Sequence, residues 1–133
     1  MTMRPALHRL RRLWTDRSGA SALEFGLLLP VFVPVMFGLI QVGQLFWTQT
    51  ALQHAVEMAA RCATINATAC SSTGLTQTYA TTQAYGLIFP NGTFVATTAA
   101  CGNQVTATYS FPVTVVAWFA SSINLSARSC YPL

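Results

Sequence analysis

The chain has 133 residues, of which 53% are apolar and only 8% are charged. Soluble globular proteins carry charge on about a quarter of their residues, so this composition excludes an ordinary water-soluble domain. The length leaves room for one modest domain. Five arginines and one aspartate give residues 1–19 most of the positive charge, and the charged residues after position 19 sum to zero.

The basic residues form a leader, residues 1–19, that is followed directly by an apolar run. Positive charge beside an apolar run stays on the cytoplasmic side of a membrane, so the leader predicts a cytoplasmic N-terminus. Nucleic-acid binding is the competing interpretation of an arginine cluster. The membrane interpretation is favoured because the apolar run follows at once and the rest of the chain has no basic patch. We therefore predict no nucleic-acid partner.

The apolar run from Phe25 to Trp47 contains 23 residues and no charged side chain. About 20 helical residues cross the hydrocarbon core of a bilayer. Phe46 and Trp47 stand where an interfacial aromatic belt belongs. A cleaved secretory signal peptide is the alternative, but its apolar region is usually only about 7–15 residues long. The sequence therefore predicts a retained transmembrane helix over residues 20–47.

Two features of this segment are unusual for a simple anchor. Pro30 and Pro34 predict a kink or local unwinding, because proline removes a backbone donor and clashes with the preceding turn. Glu24 places a carboxylate at the edge of the apolar run, which costs free energy unless it stays interfacial or finds a partner. Two interpretations of Glu24 remain open: it has a functional role, or its side chain simply reaches out to the lipid headgroups.

The N-terminal half of the chain resembles the TadE-like minor pilins of tight-adherence (Flp-type) pili. The resemblance rests on the basic leader, the junction Ser18-Gly19-Ala20, the tripeptide Leu23-Glu24-Phe25, the apolar helix with Pro30, and an amphipathic continuation that ends at Ala59-Ala60-Arg61. It covers about the first 65 residues, and the remainder matches only in general layout. Joined together, these features are far more specific than the short junction motif alone.

The resemblance implies a processing site between Gly19 and Ala20, cut by a membrane-embedded prepilin peptidase. Cleavage would remove the basic leader and create a new α-amino group on Ala20. Glu24 lies one helical turn further on, so its carboxylate could pair with the Ala20 amine of a neighbouring subunit, and Glu24 and Phe25 are the expected assembly and recognition residues. Two charges that are costly singly in lipid are tolerable as a pair.

The resemblance also implies partners and a location. The expected partners are the membrane, the prepilin peptidase, other pilins or pseudopilins, and the pilus assembly ATPase and platform. The expected location is the inner (cytoplasmic) membrane, with one span, a cytoplasmic N-terminus and an exported C-terminal head that enters the pilus on assembly. The expected roles are pilus initiation, adhesion or surface colonisation.

Beyond the span, residues 48–63 are predicted to continue the helix as an amphipathic segment. Apolar residues recur there at helical spacing and form one stripe: Leu45, Leu52, Val56, Ala59 and Ala63. We expect the exported head, residues 64–133, to pack on this stripe.

The head is predicted to contain a short helix and a three-stranded antiparallel sheet, which gives an α+β fold. Residues 66–76 are rich in Ser and Thr and indicate a loop. Alternating apolar and polar residues indicate strands, with the clearest alternation ending at Pro112. The predicted elements are a helix over 76–87, strands over 93–100, 105–111 and 123–128, and a hairpin turn at 101–103.

The segment from Val113 to Phe119 is apolar except for Thr114. That is a large apolar surface for a connection between two strands. It either packs on the helix stripe or forms a patch for another subunit or the membrane surface.

All four cysteines, Cys62, Cys70, Cys101 and Cys130, follow the membrane segment. An even number in a small exported head indicates two disulfides with three possible connectivities. The strand layout places Cys101 and Cys130 at the same end of the sheet, which favours that pair and leaves Cys62 with Cys70. A zinc site is the rival interpretation, but no CxxC spacing is present and both histidines lie elsewhere in the sequence.

The head is not expected to be an enzyme, to bind a metal or cofactor, or to act on a small-molecule substrate. General acid–base catalysis needs several titratable groups in one pocket, and the inventory is too small for that. His54 and Glu57 are one turn apart without an HExxH pattern, so His54 is predicted to be a solvated helix residue. The alternative function is an uncleaved, single-pass anchored protein whose head binds an envelope partner.

Overall fold

The computed structural model describes residues 19–66, 68–114 and 122–132. The chain forms two structural units that divide between Phe37 and Gly38. The described elements, in chain order, are helix α1 Ala20–Ile65, helix α2 Thr73–Thr82, and strands β1 Phe94–Ala99, β2 Gly102–Pro112 and β3 Ser122–Tyr131. Two helices, an antiparallel three-stranded sheet and two disulfides confirm the predicted α+β fold.

The first part of α1 is largely apolar and is exposed throughout residues 20–37. By length and composition α1 is able to cross a membrane, and it is the one such helix among the described residues. Pro30 and Pro34 lie inside it, yet the helix continues without interruption past both. The local unwinding expected at the prolines is therefore absent from α1. Proline removes one backbone hydrogen bond, and the flanking turns keep theirs.

The later part of α1 buries one face, which forms one side of the core of the second unit. Its buried positions recur at steps of three and four residues, as expected for an amphipathic helix, and they are Thr48, Ala51, Leu52, Ala55, Val56, Ala59, Ala60 and Cys62. The apolar stripe predicted from the sequence is confirmed at Leu52, Val56 and Ala59. Four of the buried positions are alanine, and a small side chain allows neighbouring elements to approach the helix closely.

The core lies between this face of α1, helix α2 and one face of the sheet. Leu52, Val56 and Val105 are the largest fully buried side chains. The same cluster includes Ala80 and Ala84 from the α2 region, and Phe94, Ala107, Phe111, Val113, Leu125 and Ala127 from the sheet and its ends. Burying apolar surface of this kind is the main source of stability for a small domain.

Helix α2 begins and ends earlier than predicted. It spans Thr73–Thr82 instead of 76–87 because Ser72 is its N-cap and accepts a hydrogen bond from the Leu75 backbone N–H. The loop predicted over residues 66–76 therefore ends at Ser72, because serine is a preferred N-cap residue. After the helix, Tyr85 and Gly86 both have positive φ, which turns the chain away from the helical path.

The sheet has the order β1-β2-β3 and is antiparallel throughout. The alternation predicted for β2 is confirmed, because Val105, Ala107 and Phe111 are buried and Thr108 and Ser110 are exposed. In β3, Leu125 and Ala127 are buried as predicted.

Two details of the sheet differ from the prediction. The hairpin turn is Ala100–Cys101, since Gly102 already pairs with Ala99 and Asn103 with Thr98. Ile123 was predicted on the inward face of β3 but is 40% exposed, although its partner in β2, Phe111, is buried in the core. Period-two alternation fixes the face of a side chain, whereas its burial depends on what covers that face.

Both disulfides join the predicted pairs, Cys62–Cys70 and Cys101–Cys130. The first closes the turn after α1, where the Asn66 side-chain oxygen also accepts hydrogen bonds from the backbone N–H groups of Thr68 and Ala69. No cysteine is free, so none of these thiols is available as a zinc ligand.

Replacing Cys62 and Cys70 together by serine is expected to destabilise the protein. The bridge closes a loop with a sequence separation of 8, and loop-closure entropy for that length corresponds to about 2.5 kcal/mol. Urea unfolding of the detergent-solubilised protein, followed by near-ultraviolet circular dichroism, would measure the loss. A double Ser71→Ala/Ser72→Gly variant changes two residues next to the bridge and leaves the bridge intact. An equal loss of stability in this variant would contradict the assignment of the effect to the disulfide.

Candidate processing and assembly site

The predicted cleavage site lies where the chain enters α1. Gly19 is in a turn, Ala20 is the first helical residue, and the Gly19 carbonyl oxygen accepts a hydrogen bond of 3.0 Å from the Leu23 backbone N–H. Gly19 thus stands at the N-cap position, outside the regular helix. Gly19 and Ala20 are exposed, and a side chain placed on Gly19 would meet no heavy atom within 4 Å. Both residues of the predicted cleavage site are therefore on the surface of the described chain.

Glu24 lies on the same face of α1 as Ala20. Residues four apart on a helix have Cβ atoms about 5–6 Å apart. Glu24 is exposed, and among the described residues no hydrogen bond or ion pair engages its carboxylate. In this single chain Ala20 and the Glu24 side chain are therefore both exposed, one helical turn apart.

Phe25 opens a continuous apolar surface on the same part of the helix. It lines a shallow groove along α1 together with Leu28, Leu29, Val31, Phe32 and Val35. Each of these side chains is exposed. An apolar helix surface of this extent fits lipid or the apolar helix of another subunit.

Some predicted site residues fall outside the described part of the chain. The arginine leader, Ser18, and residues 115–119 of the apolar connection are among them. Val113, the first residue of that connection, is buried in the core.

Contacts between α1 and the sheet fix the head on the helix, and they were not anticipated from the sequence. The Gln41 side-chain amide donates a hydrogen bond of 3.0 Å to the Thr114 hydroxyl. The Gln49 side-chain amide donates one of 2.9 Å to the Ser126 carbonyl oxygen. In the sequence, the one indication of these contacts is the presence of two glutamines eight residues apart on α1. The sequence does not reveal which residues the glutamines bond to.

His54 is not the solvated helix residue that was predicted. It is half-buried, its ring stacks on Tyr85 with centroids 4.5 Å apart, and its Nδ1 lies 3.1 Å from the Gln83 carbonyl oxygen. The chain after α2 folds back over this part of α1, and that long-range packing covers the imidazole. Within residues 19–66, 68–114 and 122–132, no three His, Cys, Asp or Glu side chains are grouped as a metal site.

One of the comparisons with known proteins found a match, and it lies in the N-terminal half of the chain. The family model described as TadE-like protein matches residues 19–61, a segment that begins at the Gly19–Ala20 junction. No curated protein and no solved structure matches the chain. The match and the apolar N-terminal helix support a single-pass membrane protein associated with the tight-adherence pilus. The segment from Gly19 to Arg61 is therefore TadE-like, which confirms the family resemblance found in the sequence.

Proposed function

We propose that this protein is a minor pilin, or pseudopilin, of a tight-adherence pilus. In this proposal a prepilin peptidase cuts the bond between Gly19 and Ala20, and the mature subunit assembles through its N-terminal helix. The observation that supports it most directly is the placement of an open glycine at the N-cap of an exposed apolar helix, with Glu24 one turn further on.

The physical sequence of events is simple. Before cleavage, the arginine leader holds the N-terminus in the cytoplasm, since positive charge does not cross the bilayer. Cleavage removes that charge and leaves the Ala20 amine one turn from the Glu24 carboxylate. In a bundle of such helices, pairing the amine of one subunit with the carboxylate of another compensates both charges and fixes the axial register of the subunits.

The mature protein in this proposal is held in the inner membrane with its disulfide-bonded head exported. Its partners are the prepilin peptidase, the assembly machinery and the other pilins, and its contribution is structural, in pilus initiation or adhesion. Among the described residues of the unit that begins at Gly38, only Glu57, Arg61 and Arg128 have formally charged side chains, which supports an assembly role over a catalytic one.

Intact-mass spectrometry of the protein extracted from membranes of cells with a working prepilin peptidase tests the proposal. We expect the chain to begin at Ala20, and Gly19→Val to retain residues 1–19. Gly38→Val is the matched control, because a side chain at either glycine would meet no heavy atom within 4 Å. A wild-type protein that keeps its full leader would overturn the proposal and favour an uncleaved membrane anchor.

A further inference from the structure

We propose that the exported head docks on the membrane through a shelf made of Trp47, Tyr85, Leu87 and Ile88. The occupant of this surface is the headgroup and upper acyl region of the bilayer that the helix spans. The proposal rests on the membrane span proposed above, and all four residues belong to the structural unit that begins at Gly38.

The length of the helix places Trp47 in the interfacial layer. Starting at Ala20, about 20 residues at a rise of about 1.5 Å cross the hydrocarbon core, so the core ends near Ile40. Gln41 is the first polar side chain beyond it, and it bonds to Thr114 of the head. The polar groups of a loop are tolerated outside the hydrocarbon core of the bilayer but not within it. Trp47, less than two turns further on, then stands at the level that interfacial tryptophans occupy.

The loop after α2 reaches down to this level. The Tyr85 ring lies 5.9 Å from the Trp47 ring, measured between centroids. Leu87 lines a groove together with Gln44 and Trp47 of α1. Ile88, the next residue, is 97% exposed, which is extreme for a branched apolar side chain. Tyr85 and Leu87 thus lie beside Trp47, and Ile88 is left outside the core.

The distribution of charge also favours a lipid surface. Among the described residues of the unit that begins at Gly38, the formally charged side chains are Glu57 and Arg61 on α1 and Arg128 on β3. Arg128 is the β3 residue opposite Thr106 of β2. It lies toward the end of the sheet that contains Asn103, whose side-chain amide donates a hydrogen bond to the Ala63 carbonyl oxygen.

The opposite end of the sheet has none of these charges, and it lies beside Trp47 and Leu87 of the shelf. Tyr109 and Phe111 line the groove beside Gln44 and Trp47, so this end lies nearest to the predicted membrane boundary. An uncharged apolar surface with tyrosine and tryptophan at its edge matches the chemistry of the bilayer interface, where amphipathic rings are favoured.

Depth-dependent fluorescence quenching tests the shelf. The full chain, with Trp14 and Trp118 replaced by phenylalanine and Trp47 kept because it belongs to the shelf, is reconstituted in phosphatidylethanolamine–phosphatidylglycerol vesicles whose acyl chains carry bromine. The signal of this parent protein is subtracted from the signal of each variant. Single probes are then introduced as Ile88→Trp and, in the span, Leu39→Trp. A third probe, Thr98→Trp, reports on an exposed site at the far end of β1.

We expect the Ile88 probe to lose fluorescence to an extent comparable with the Leu39 probe, and the Thr98 probe to be unaffected. Quenching at Leu39 without quenching at Ile88 would overturn the shelf and leave the membrane span intact. No quenching at Leu39 would overturn the span itself, and the shelf with it. An Ile88 probe shielded from brominated lipid and from aqueous acrylamide alike, with the shielding lost as protein is diluted into lipid, would identify a subunit contact and also overturn the shelf.

Discussion

Replacing Glu24 with alanine is expected to leave cleavage between Gly19 and Ala20 intact and to remove the subunit from assembled pili. The reason is electrostatic: the Ala20 amine of the neighbouring subunit would be buried in an apolar bundle without its carboxylate. Breaking a buried ion pair by removing one partner costs about 3–5 kcal/mol, which corresponds to a loss of incorporation of about 100-fold or more. Immunoblots of sheared pili and of membranes would measure the two fractions.

Two control variants separate this effect from general damage. Glu57→Ala removes an exposed carboxylate from the same helix outside the span, and its incorporation should match wild type. Glu24→Gln keeps the size of the side chain without its charge, so it should fail like alanine. Normal incorporation of Glu24→Ala would contradict the pairing, whereas a loss of cleavage would contradict the predicted intact processing and show that Glu24 acts in recognition by the peptidase.

Replacing Gly102 with alanine is expected to destabilise the head more than any other single small-side-chain substitution in the sheet. The φ of Gly102 is +120°, and a Cβ there would meet the Tyr131 carbonyl oxygen and lie 2.7 Å from the Pro132 Cα. Backbone strain of this kind costs about 1–3 kcal/mol. Forcing an extra carbon into a packed site adds about 1–3 kcal/mol, so the total loss is about 2–6 kcal/mol.

The neighbouring bridge explains why the clash is difficult to relieve. Gly102 follows Cys101, which is bonded to Cys130, and Tyr131 follows Cys130. The two strands are therefore held together beside the site of the clash, and they cannot separate to admit a methyl group. Reduction of the bridge in the Gly102→Ala variant should recover part of the strain, and this coupling can be measured by a double-mutant cycle.

Gly74→Ala is the matched control for the same substitution. Gly74 lies in α2 and has no positive φ, and a Cβ at this position would meet no heavy atom within 4 Å. Alanine is a better helix former than glycine, so this variant should gain up to about 1 kcal/mol. Urea unfolding of both variants in detergent gives the comparison. Equal stability of Gly102→Ala and wild type would contradict the predicted strain and clash at Gly102.

The sequence by itself determined the features that depend on local periodicity. The uncharged run after Glu24 indicated a helix long enough for a bilayer, since only the number of apolar residues matters. The alternation from Val105 to Phe111 determined one face of β2. The strand order then brought Cys101 and Cys130 together, and the remaining cysteines paired by the shortness of their loop. The junction at Gly19 was likewise a local motif.

Only the tertiary structure decided the features that depend on contacts between distant residues. Tyr85 covers His54 because the chain turns at two successive residues of positive φ after α2. Gln41 meets Thr114, 73 positions away, and Ile88 is left outside the core. Periodicity assigns a side chain to a face of its own element, whereas packing across the chain decides what that face meets.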